Sequence, residues 1–273
     1  MPYDAEISRR KPSLFVFLID QSRSMSRKIA GGSRSKSQEA AYAINKQLNE
    51  IISRCTKSDG VRPYFYVGVI GYGIKSGEAL SLIGDAPIPI NELENHILRM
   101  ETETQQIEDE EIETEFPIWF EPVAAYDTPM TKALTLAGEW IVDFIGKNPD
   151  SFPPILINIS DGGATDGDPL VPAKDILDLE TTNGKTLIWN CHISEKEGDT
   201  IKFPNDPENV GNDKHAVSMF NMSSQLPDTF IAIAREEFTD IPDSARAYVY
   251  NGDLDDLIKL LDIGTRVAYS KVS

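Results

Sequence analysis

An unbroken apolar run, Leu14-Phe15-Val16-Phe17-Leu18-Ile19, stops abruptly at a carboxylate, Asp20. The run does not alternate, is rich in strand-favouring residues and is too short to cross a bilayer. It therefore reads as a strand covered on both faces, as in a parallel sheet with helices above and below. Past Asp20, hydroxyls follow at alternate positions, Ser22 and Ser24. One carboxylate and two hydroxyls in a tight turn suit a hard cation such as Mg²⁺, which takes oxygen ligands in near-octahedral geometry and keeps several waters. Open parallel sheets place their sites at this carboxyl end of the strands.

The remaining chain repeats the strand-then-helix pattern. From Ser37, an expected N-cap, Ala41, Ile44, Leu48, Ile51, Ile52 and Cys55 recur at helical spacing. Tyr64 to Tyr72 is a second strand, SLIGDAPIPI an edge strand and turn, and Asn91 to Met100 a short helix. A strong helix opens at Asp127-Thr128-Pro129-Met130, with Thr128 in the N-cap position and Pro129 in the first turn. Ile155 to Ile159 is another buried strand, ending in Ser160-Asp161-Gly162-Gly163. A helix over 171–179, a strand over 185–193, short helices within 216–234, a last strand over 247–250 and a closing helix capped by Asp253 complete the series. The alternation predicts an α/β fold in one domain: a doubly wound, mostly parallel central sheet flanked by helices. Residues 1–12 are expected to be a loosely held lead-in, followed by the domain over 13–273. Glu101 to Glu115 holds eight acidic residues and no basic one. It is expected to be a solvated, self-repelling insertion, with an acidic partner-binding tract as the sharper alternative.

A net charge of -18 argues against nucleic acid and anionic membrane as partners, because both would repel the chain. The start of the sequence has no apolar signal segment, and Cys55 and Cys191 form no CxxC pair. Both point to the cytoplasm. GGSRSKS lacks phosphate-loop spacing, GATDGDP does not fit the calcium-loop pattern, and His96, His192 and His215 are scattered without zinc-ligand spacing.

Asp20-Gln21-Ser22-Arg23-Ser24, a later Thr128 before Pro-Met, and Ile-Ser-Asp161-Gly, in this order, resemble the von Willebrand factor A domain with its metal-ion-dependent adhesion site. The resemblance covers most of the chain, and PPILINISDGGATDGDP is similar to a bacterial cytoplasmic, tellurite-resistance-associated branch. It implies that Ser22, Ser24 and Thr128 offer hydroxyls to Mg²⁺, with Mn²⁺ as an alternative, while Asp20 and Asp161 hold the ion mainly through waters. It also implies a non-enzymatic role, in which a partner protein supplies a carboxylate to the open coordination position. Such proteins accompany kinases and phosphatases in stress or defence systems. Arg23 stands where relatives often have glycine, and Asp127 where a glycine commonly precedes the threonine; Asp127 would add negative charge near the ion. Two other readings compete. A scaffold subunit of a chelatase-like ATPase assembly would share the metal site. A metal-dependent phosphotransferase or hydrolase would use Asp20 as nucleophile, but Ser22 stands where its second carboxylate should be.

Overall fold

The computed structural model describes residues 3–29, 32–107, 110–194, 198–270 and 272. In chain order the main strands are β1 (Ser13–Asp20), β2 (Phe65–Tyr72), β3 (Ala79–Ser81), β4 (Ile88–Pro89), β5 (Arg99–Ile107), β6 (Glu110–Ile118), β7 (Ile155–Ser160), β8 (Leu187–Ile193), β9 (Ile201–Lys202) and β10 (Tyr248–Gly252). The helices are α1 (Lys36–Cys55), α2 (Met130–Lys147), α3 (Leu170–Asp178), α4 (Lys214–Met222), α5 (Asp228–Glu237) and α6 (Leu254–Ser270).

The central sheet runs β9-β10-β8-β7-β1-β2-β3, with β4 also paired to β2. Its five inner strands are parallel, and β3, β4 and β9 are antiparallel at the margins. Every residue of β1 is buried, which is the condition its unbroken apolar run predicts. Phe15, Phe17 and Ile19 point into the core layer shared with α1, α5 and α6. Leu14, Val16 and Leu18 point into the opposite layer, with α2, α3 and α4. The strand is apolar from Leu14 to Ile19 because both of its faces are interior.

The chain goes outward from β1 to β2 on one side and later returns to β7 on the other. Strand order therefore reverses between β1 and β7. The connections that follow them lead to α1 and α3 on opposite faces of the sheet and leave a crevice between them, the position where open α/β sheets hold ligands. Asp20 ends β1 and Ser160 ends β7.

Three expectations change at the level of elements. The acidic stretch is not an open loop where it is described. It forms much of a hairpin of β5 and β6, packed against α1, and Asp109 lies outside the described residues. Its register explains how so acidic a segment pairs. Glu101 faces Phe116, Thr102 faces Glu115, Glu103 faces Thr114 and Thr104 faces Glu113, so no carboxylate lies directly opposite another across these pairs. Glu103 also accepts from Tyr42 Oη at 2.7 Å and pairs with Lys46 at 2.5 Å, which ties the hairpin to α1. The lead-in is not loose either. Ile7 is fully buried and bridges Val272, and Tyr3 N donates to the Asn183 carbonyl at 2.6 Å. Finally, the 91–100 helix is a short 3₁₀ turn, Ile90–His96, after which the chain enters β5.

Candidate functional site

Asp20 is fully buried, and both of its carboxylate oxygens have donors. Ser22 N reaches Oδ1 at 2.8 Å and Ser160 Oγ reaches Oδ2 at 2.6 Å. The Ser22 and Ser24 hydroxyls lie 3.0 Å apart, and Ser24 Oγ donates to Asp161 Oδ1 at 2.7 Å. Four of the five predicted residues, Asp20, Ser22, Ser24 and Asp161, thus form one cluster across the β1/β7 crevice.

Thr128 arrives on an adjoining loop laced to the first by its backbone. Ala125 N donates to Gln21 O at 2.8 Å, and Arg23 N donates to Tyr126 O at 2.9 Å. Gly73, at φ +97°, permits the close approach. A Cβ there would lie 2.3 Å from Asp127 O and 2.9 Å from Ser22 N. Among the described residues no hydrogen bond joins the Thr128 hydroxyl to the other four. Nor does Thr128 cap α2: the helix begins at Met130 with Pro129 in the cap position and no side-chain cap of its own. The cap comes from elsewhere in the chain. Asp166 accepts from Thr131 N at 3.0 Å and from Lys132 N at 2.9 Å, and Thr165 Oγ1 accepts from Thr128 N at 3.0 Å. The α1 cap likewise differs from the expected Ser37. Ser35 and Gln38 form a capping box, so the helix starts at Lys36.

The two carboxylates set the electrostatics. Burial, reinforced by the nearby charge of Asp161, raises the Asp20 pKa to about 6, against the opposing effect of the Ser160 and Ser22 hydrogen bonds. Asp161 Oδ2 makes an ion pair with Lys36 Nζ, and both side chains are buried. That contact is close in distance without being an aligned hydrogen bond. The carboxylate of Asp127 turns away to accept from Gly77 N at 2.9 Å. Arg23 is exposed at the loop. His192 is stacked on Tyr250 with ring centroids 4.8 Å apart, and burial lowers its pKa to about 4. His215 covers Gly163, where an added Cβ would meet its imidazole. Beside the crevice a hollow of about 230 Å³ is bordered by Met130, Gly163, Asp168, Lys214 and His215.

Sequence reasoning missed three participants: Ser160, Lys36 and Asp166. Ser160 carried a usable signal, since it ends a buried strand next to Asp161. The Ser35-x-x-Gln38 spacing could have placed Lys36 at the first position of its helix. Asp166 gave no local sign of capping a helix more than thirty residues earlier.

The donor set fits a small hard cation. The predicted ligands are all oxygens, and among the described residues Asp161 Oδ2 has no aligned hydrogen bond. Among the described residues no three His, Cys, Asp or Glu side chains converge, so a cation here would need hydroxyl oxygens as well.

No protein-family description matches the chain, and no curated protein does. Among solved structures it resembles the pilus adhesin SpaC from Lactobacillus rhamnosus GG, with a TM-score of 0.51 and 12% identity over 97% of this chain and 31% of that one. The vWF domain of the type V pili tip protein Mfa5 from Porphyromonas gingivalis matches with a TM-score of 0.33 and 14% identity, over 57% of this chain and 39% of that one. The chain thus spans about a third of the adhesin's length. Among the described residues no helix is long and apolar enough to cross a membrane. What the chain shares with the adhesin is its fold, a mostly parallel α/β sheet flanked by helices.

Proposed function

We propose that the chain is a metal-dependent protein-binding module of the von Willebrand factor A type. On this reading Ser22, Ser24 and Thr128 hold Mg²⁺ or Mn²⁺ directly, with Asp20 and Asp161 behind them, and a partner protein completes the site with a carboxylate. The observation that carries the reading is the single cluster of Asp20, Ser22, Ser24 and Asp161 at the strand-order reversal. When bound, the ion supplies a positive centre with a position open to a carboxylate oxygen.

The chain's own residues fit the remaining parts of that task. Ser22 to Lys36 contains Arg23, Arg27, Lys28, Arg34 and Lys36 and no acidic residue, in a chain of net charge -18. Arg23, Arg27, Lys28 and Arg34 are exposed, which favours the approach of an acidic surface. A non-enzymatic role is favoured by what stands beside Asp20. Ser22 and Ser24 hydrogen-bond each other where a phosphotransferase would need an acid/base carboxylate. The buried, unpaired Cys55 and Cys191 fit a cytoplasmic setting, where kinase- and phosphatase-linked stress systems operate.

Calorimetric titration of Mg²⁺ and Mn²⁺ tests this reading. We expect one equivalent to bind the unaltered protein, and at least a tenfold loss of affinity, about 1.4 kcal/mol, in Asp20→Ala and in Thr128→Ala. Ion binding that either variant retains at the unaltered affinity would overturn it.

A further inference from the structure

Lys36 breaks two local rules at once. The Ser35–Gln38 capping box fixes it as the first residue of α1, where the helix dipole disfavours a cation. Its side chain is also almost fully buried, a costly place for an ammonium without a partner. Its backbone is pinned as well, Lys36 N donating to Arg27 O at 2.8 Å beside the Lys28–Ser35 bridge. A residue held so firmly in an unfavourable setting must gain from what it faces. It faces Asp161 Oδ2, in the same carboxylate whose Oδ1 takes the Ser24 hydroxyl.

We infer that Lys36 is the built-in counter-ion of the ion-free site, and that a divalent cation binds by displacing its ammonium from Asp161. The inference rests on the metal-site reading above and specifies how that site is regulated. Without Lys36, two carboxylates in one buried cluster would repel each other whenever the site held no ion. With Lys36, the ion-free form is a stable state of its own, and an arriving cation must compete with a tethered one. The site therefore binds cations weakly until something else, such as a carboxylate at the open position, adds to the ion's hold.

Calorimetry with Mg²⁺ on the unaltered protein, Lys36→Met and Asp20→Ala tests the inference, alongside melting in EDTA and in saturating Mg²⁺. Lys36→Met should bind Mg²⁺ at least about tenfold more tightly. In EDTA it should melt about 5–10 °C lower, because Asp161 loses its counter-ion, and Mg²⁺ should close most of that gap. If Lys36→Met does not fold, Lys36→Gln should shift the affinity in the same direction, while Lys36→Arg, which keeps the charge, should stay near the unaltered value. Affinity that is unchanged or weaker in Lys36→Met, with binding still dependent on Asp20, overturns the inference alone. Binding that survives Asp20→Ala overturns the site reading beneath it. Absence of binding up to about 10 mM Mg²⁺ in both the unaltered protein and Lys36→Met overturns both.

Discussion

Asp20 and His192 lie near the carboxyl ends of β1 and β8, parallel strands separated by β7, and burial moves them in opposite directions. The Asp20 pKa rises from 3.8 to about 6, so its stabilising contribution is complete below the unfolded value and is lost as pH rises through 6. The His192 pKa falls from 6.5 to about 4, so its contribution is complete above 6.5 and is lost as pH falls through 4. Each shift is worth about 3 kcal/mol, and the two act over nearly the same pH window with opposite sign. The ion-free protein should therefore show a nearly flat stability between pH 4 and 6.5 from this pair. His192→Phe should unmask Asp20 and become more stable, relative to its own value at pH 7, as pH drops to 5. Denaturant midpoints across that range in EDTA would show it, and a midpoint that falls in the variant would refute the assignment. The same scale shows what the sequence did and did not disclose. The alternation Asp20, Ser22, Ser24 was readable because the three residues share one turn. Lys36 was not, because nothing in a serine-rich basic stretch says which of its cations turns inward.

Among the elements, α2 shows how a loop far along the chain completes a helix. Its first turn has no acidic residue and its cap position is a proline, so the exposed amides at its start lack local partners. Asp166 supplies both the acceptor and the negative charge favoured at that end. Asp166→Ala should cost about 1 kcal/mol of stability and Asp166→Asn less, measured as urea midpoints at pH 7. No loss in the alanine variant would show that the cap is dispensable. Local pattern correctly located this helix but put its cap one residue too early, at Thr128, since a Thr-Pro pair looks like a cap whether or not a distant carboxylate takes the role. The β5/β6 hairpin escaped notice for a related reason. Its charge count argued for repulsion, and only the register, which sets each glutamate of the described pairs across from a neutral residue, removes that objection.

The whole molecule carries its charge unevenly, -18 in total with a basic, acid-free segment from Ser22 to Lys36 beside the crevice. Self-repulsion among the remaining surface carboxylates should make the fold salt-sensitive. Raising NaCl from about 10 mM to about 500 mM should lift the melting temperature by a few degrees. A lower melting temperature in salt would mean that attractive pairs outweigh repulsion. Ion titrations therefore need matched ionic strength, so that a bound Mg²⁺ is not confused with diffuse screening. At this scale the sequence was most informative. The alternation of apolar runs and helical repeats leads to one doubly wound sheet, because a strand with an unbroken apolar run must be covered on both sides. Below the crevice the sheet is also crossed sideways by a line of side chains. Tyr72 Oη donates to Asn158 Oδ1 at 2.8 Å, Asn158 Nδ2 to Asn190 Oδ1 at 2.9 Å, Asn190 Nδ2 to Ser223 Oγ at 2.9 Å, and Ser223 Oγ to Met219 O at 2.7 Å. Every bond in that line points the same way, from β2 towards α4, so the orientation of each amide is dictated by its neighbour. The row works like a one-way street. Reversing one amide alone sets oxygen against oxygen on one side and hydrogen against hydrogen on the other, and so the two amides at the floor of the crevice are fixed relative to each other.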